Sequence, residues 1–200
     1  MYDQNSAIPE DAQPELWRRY DEWRGERHRR FTARHAHRLP RWRNRRAYRR
    51  VVVAQALAIV LMIVGAVIGF FSDVWFLPPW ILGAVVTITA QRLLRIITGS
   101  VGDAPVSALD EIQLAQRNSA RSIAFIVLFS LMFIPYFILI AMSIPDHIDR
   151  QAIYGVAILL ISLVLAAGVL PSMLTAWWMA DSDPEDYAEP ESSTWKGELR

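Results

Sequence analysis

The chain has 200 residues, 53% hydrophobic and 20% charged, with no Cys. Its mean hydropathy is +0.19 despite those charges, so the apolar residues must be segregated; this excludes an ordinary soluble enzyme domain, and the lack of Cys excludes a disulfide scaffold. The formal charge of +1 hides an asymmetry: residues 1–50 carry 14 Arg against 7 acids, residues 51–180 carry 5 Arg against 6 acids, and residues 181–200 carry two cations against 7 acids.

Residues 1–50 read as a basic cytoplasmic head. The pattern predicts one helix from Pro14 to Leu39, with Pro14 in the first turn and Glu15 at the positive end of the helix dipole. Leu16, Tyr20, Trp23, Arg27 and Phe31 share one face, and Pro40 ends the run. Between Arg24 and Arg50 there are 12 Arg and one acid, Glu26. Three readings compete for this segment. It is a topology determinant and solvated anchor, or an amphipathic helix on anionic lipid with Arg41, Arg43, Arg45, Arg46, Arg49 and Arg50 at the headgroups. The third, nucleic-acid binding, is the weakest, because a basic run beside a membrane span has a simpler explanation. His28, His35 and His37 lack a ligand spacing and lie among arginines, so no metal is assigned.

Residues 51–98 read as a first transmembrane hairpin. Val51 to Phe71 is 21 residues without a charge, long enough as a helix to cross about 30 Å of hydrocarbon. Ser72-Asp73-Val74 interrupts it, and a second span is expected from Val74 to Ala90, ended by Gln91, Arg92 and Arg95. Trp42, Tyr48, Trp75 and Trp80 fall near span ends, as in an aromatic belt. Gly65 and Gly69 form a GxxxG and Ala54 and Ala58 a further small pair; packing within the bundle is preferred to a dimer contact.

Residues 99–121 are expected to be a cytoplasmic loop and an interfacial helix. Ser107 and Asp110 resemble a capping box, and a helix from Ala108 puts Asp110, Gln113, Arg117 and Arg121 on one polar stripe. That stripe reads either as a membrane-boundary anchor or as a docking surface for a partner or for the chain's own head. Residues 122–180 read as a second hairpin, with spans near Ser122–Ser143 and Ala152–Ala180, a kink at Pro135, and Trp177 and Trp178 at the boundary. Asp146, His147 and Asp149 in the short outer loop read as solvated residues. Residues 181–200, with Asp181, Asp183, Glu185, Asp186, Glu189 and Glu191, read as a disordered acidic tail.

The arginines cluster in the head and around the central loop, which by the positive-inside rule places both termini in the cytoplasm of a bacterial inner membrane. The expected fold is therefore an all-α membrane protein of four transmembrane helices in two hairpins, preceded by a basic amphipathic helix. No ionisable residue lies in the middle of a span, which argues against an ion pathway. HExxH, P-loop and GxSxG motifs are missing, so no enzyme activity and no cofactor is expected.

The stretch Leu109-Asp110-Glu111-Ile112-Gln113-Leu114-Ala115-Gln116-Arg117-Asn118-Ser119-Ala120-Arg121, with the Arg-rich head and the acidic tail, resembles uncharacterised small actinobacterial four-span membrane proteins. The resemblance implies an accessory subunit of a larger assembly, by analogy a Mce-type lipid importer or a respiratory supercomplex. The resulting expectation is a non-enzymatic accessory or scaffold subunit that binds anionic lipids through its head and docks a membrane protein complex. The alternative is a small homo-oligomeric transporter or lipid-handling protein, with Pro135, Tyr136 and Gln55 lining its site.

Overall fold

The structure, a computed structural model, describes residues 14–35, 42–99, 104, 109, 111–145 and 149–179. These are helical with no strand among them, in the order α1 (Glu15–His35), α2 (Arg45–Ile68), α3 (Leu77–Ile97), α4 (Glu111–Ser143) and α5 (Arg150–Trp178). Four of the five, α2 to α5, are long and apolar enough to cross a bilayer. The chain is a multi-pass membrane protein.

Each helix begins and ends for a local reason. Glu15 sits in the first turn of α1 and accepts from Arg19 at 2.6 Å, and Glu26 accepts from Arg30 at 2.8 Å, so α1 carries its own i, i+4 ion pairs. The Asn44 side chain caps α2, accepting from the Ala47 N–H at 2.8 Å. Pro78 and Pro79 occupy the first turn of α3, where a missing N–H leaves no helical bond unmade. Thr98 closes α3, and Gly99 follows at φ 64°, the left-handed conformation that favours glycine after a helix. Asp149 caps α5, accepting from the Gln151 N–H at 2.9 Å.

The helices do not stop where hydropathy changes. The basic residues Arg45–Arg50 are the first turns of α2, continuous with the apolar run. Likewise α4 starts at Glu111, so the expected interfacial helix runs without a break into the third span as one helix of 33 residues. At 1.5 Å per residue this is about 50 Å, well beyond a hydrocarbon core of about 30 Å. The second span starts later and ends later than its apolar run implied, at Leu77 and Ile97. In the head, the helix covers Glu15–His35 of the expected Pro14–Leu39; the stretch 36–41, the capping residues Ser107 and Asp110, and the tail 181–200 lie outside the described residues.

The packing pairs α2 with α3 and α4 with α5, and α2 also packs along α5, which joins the hairpins; α3 touches α5 lightly. The lateral order is therefore α3, α2, α5, α4. Tyr48, Val51, Leu94, Ile97, Met173 and Ala176 make a core where α2 begins and α5 ends, here called the basic end. Ala66, Leu159 and Leu163 make a second core toward the opposite end, with Leu131, Met132 and Ile138 of α4 against it.

Close approach is set by small residues, because in lipid helices gain from contact rather than from leaving water. A Cβ on Gly83 would lie 2.5 Å from Met62 Cγ and 2.6 Å from the Ala58 carbonyl oxygen of α2. A Cβ on Gly155 would lie 2.7 Å from the Phe70 ring. The GxxxG is used inside the molecule: a Cβ on Gly65 would sit 3.0 Å from Trp80 Cβ of α3.

Candidate functional site

The basic end of the bundle gathers most of the residues singled out in the sequence. Its pivot is Tyr48, 1% exposed, whose hydroxyl donates to the Ile97 carbonyl at 3.3 Å. With Tyr48 turned inward, its helix neighbours must point elsewhere. Arg45, Arg46 and Arg50 are exposed, and Arg43 and Arg49 are half-buried. The Arg49 guanidinium lies 5.0 Å from the centroid of the Trp177 ring, which ties the start of α2 to the end of α5. Arg41 lies outside the described residues.

Beside this collar a groove of about 700 Å³ opens between α2 and α3. Trp42, Asn44 and Arg50 stand at its mouth; Ala54, Val85 and Leu93 are among its apolar walls. Behind it, in the α2–α3–α5 contact, runs a polar seam. Gln55, fully buried, donates from Nε2 to Gln91 Oε1 at 3.2 Å, and Gln91 Nε2 donates to Ser172 Oγ at 2.7 Å. The Gln55 carbonyl oxygen is buried without a hydrogen-bond partner. Two further ties hold α5 to the first hairpin: Trp80 Nε1 donates to Ser162 Oγ at 2.9 Å, and Gln151 Nε2 donates to the Gly69 carbonyl at 2.7 Å.

The polar stripe before the third span divides in the structure. Gln113 and Arg121 are exposed, whereas Arg117 is only 4% exposed and donates to the Ala104 carbonyl, so its guanidinium serves the chain itself. Asp110 lies outside the described residues. Farther along, Phe125, Phe129, Phe133 and Phe137 form an exposed ladder on α4 at i, i+4 spacing, with adjacent rings of the last three at 5.4 and 5.9 Å.

Compared with known proteins, the chain matches no family model, no curated protein and no solved structure.

The alternative site expected from Pro135, Tyr136 and Gln55 is not assembled. Gln55 is buried in the α2–α3–α5 seam, Tyr136 is exposed on α4, and α2 and α4 have no extensive contact. The three residues sit on the two hairpins with α5 between them. No group of three metal-ligating side chains occurs among the described residues; Asp149 caps α5, and Asp146 and His147 lie outside them. The sequence reading missed Gln91, Ser172 and Gln151 as interhelical donors and acceptors. Their signal was present, since each is a polar residue in or beside an apolar run, but pairing them needs the rotation of each helix. Trp80 stands in the first turn of α3, at the span end where the sequence puts it, and its indole also reaches Ser162.

Proposed function

We propose that this chain is a non-enzymatic subunit of a bacterial cytoplasmic membrane that holds anionic lipid at its basic end and offers α4 to a membrane partner. One observation carries the lipid reading. Arg45, Arg46, Arg49 and Arg50 stand on the opening turns of a membrane helix, around a buried Tyr48, so rigid backbone fixes their depth. Each cation near an anionic surface contributes about 1 kcal/mol. The arginine distribution supports an orientation with both termini in the cytoplasm. The partner reading is supported by α4, which packs extensively on α5 alone and exposes its phenylalanine ladder. Gln113 and Arg121 are the exposed polar positions at its root.

The test is extraction of the tagged full chain from its native membrane in mild detergent, with mass spectrometry of the lipids and proteins that remain bound. Anionic phospholipid enriched over the bulk membrane, with a stoichiometric membrane protein lost in a Phe129→Ala/Phe133→Ala variant, is the expected result. A lone chain carrying lipid in bulk proportions overturns the proposal. A second reading, a small homo-oligomeric transporter or lipid-handling protein, draws on the groove between α2 and α3. It requires lipid or solute movement across reconstituted vesicles containing this chain alone.

A further inference from the structure

The groove between α2 and α3 has the composition of a site for one particular molecule. Its mouth carries a cation, Arg50, and its walls are apolar, including Ala54, Val85, Val86 and Leu93. Val85 and Leu93 are eight residues apart on α3, so the groove follows the helix for about 12 Å from the charged level into the apolar run. Its volume of about 700 Å³ lies within the range of ordinary ligand sites.

The charge at the mouth is not balanced by its walls. Arg46 and Arg50 are both exposed and stand at i, i+4 on α2, a spacing at which like charges repel. Neither α2 nor α3 contains an acidic residue. An anion placed between the two guanidinium groups relieves that repulsion and gains charge-assisted hydrogen bonds. The aromatic Trp42 lines the groove with Arg50, as rings do at headgroup level. The hollow below is formed by short side chains, Ala47, Ala54 and Ala90, where longer ones would close it.

We propose that this groove binds one anionic phospholipid, its phosphate on Arg50 and Arg46 and one acyl chain along Ala54, Val85 and Leu93. This rests on the reading of the basic end as a lipid-binding surface and adds a defined seat and a stoichiometry of one. The seat differs from the surrounding lipid shell in that filling the groove abolishes it while leaving the rest of the collar intact.

The experiment uses the full chain in detergent micelles, titrated separately with phosphatidylglycerol and phosphatidylcholine, with bound lipid counted by native mass spectrometry. Wild type is expected to hold one phosphatidylglycerol in preference to phosphatidylcholine. Arg50→Gln, which removes the charge, and Ala54→Phe, which fills the groove from an exposed position, are each expected to weaken that binding about tenfold or more. Val53→Phe, the same change on the neighbouring exposed position, is expected to leave it unchanged, and thermal unfolding identifies any variant that fails to fold. Preference for phosphatidylglycerol that persists in Ala54→Phe overturns the groove and leaves the basic collar as the binder. Equal binding of the two lipids by wild type overturns the lipid reading itself.

Discussion

A methyl group added at Gly83 would meet the Ala58 carbonyl oxygen at 2.6 Å, and backbone cannot step aside as a flexible side chain can. Gly83→Ala is therefore expected to destabilise the first hairpin by about 1–3 kcal/mol, read as a lower unfolding midpoint in mild detergent. Gly25 is the opposite case, since a Cβ there meets nothing within 4 Å and the residue lies inside α1. Gly25→Ala is expected to raise the helicity of α1, stabilising it by about 0.5–1 kcal/mol, which hydrogen exchange of α1 amides reads directly. The two glycines look alike in the sequence. The GxxxG drew attention to Gly65, and the tighter crossing proved to be at Gly83, outside any motif. Which small residue lies at a crossing depends on how each helix is rotated, and that is decided by its neighbours.

At the scale of the element, α1 and α4 show two ways in which polar sequence becomes helix. The head helix stands on its own ion pairs. Its expected apolar face is exposed, Leu16 at 81% and Trp23 at 53%, with Arg27 held 5.2 Å from the Trp23 ring centroid. Glu26 pairs with both Arg29 at 3.2 Å and Arg30 at 2.8 Å. Glu26→Gln is expected to lower α1 helicity by about 0.3–0.5 kcal/mol per pair at low salt. That difference should fade as the ionic strength approaches 1 M, because these pairs are exposed; circular dichroism across a salt series checks it. The start of α1 was legible, because Pro14 and Glu15 act locally. The start of α4 was legible from the polar stripe, which predicts a helix from Ala108 where the described helix begins at Glu111, but not from hydropathy. Hydropathy marks where a chain turns apolar, whereas a helix continues as long as its backbone bonds are satisfied, and Glu111–Arg121 satisfies them without a break.

At the scale of the whole molecule, four spans in two hairpins could be read from the lengths of the apolar runs alone. The partnership between α2 and α5 could not, because it joins residues about 80 positions apart, such as Gln151 of α5 and Gly69 at the end of α2, whose separation is 82. This contact makes the hairpins separable in principle. Two polypeptides made by cutting between Gly99 and Glu111 are expected to reassociate when co-expressed and to co-purify. Gln91→Ala, which removes both hydrogen bonds of the seam and leaves the Gln55 amide buried without a partner, is expected to weaken that association by about 1–2 kcal/mol, roughly tenfold. Co-purification unaffected by Gln91→Ala would show that the seam adds nothing to the association, which the apolar contacts and the Trp80 and Gln151 hydrogen bonds then hold.

The lateral order α3, α2, α5, α4 also sets a timetable for biosynthesis. A chain made from its N-terminus delivers α2 and α3 first, and these can close on each other at Gly83 at once. The next span to enter, α4, has no extensive contact with either. It must wait in lipid until α5 arrives, and α5 then docks on two sides, against α4 and against α2. The last helix synthesised is thus the one that closes the structure. A chain stalled before Tyr154 leaves a finished hairpin and an orphan helix in the bilayer, the form in which a membrane quality-control protease would meet it.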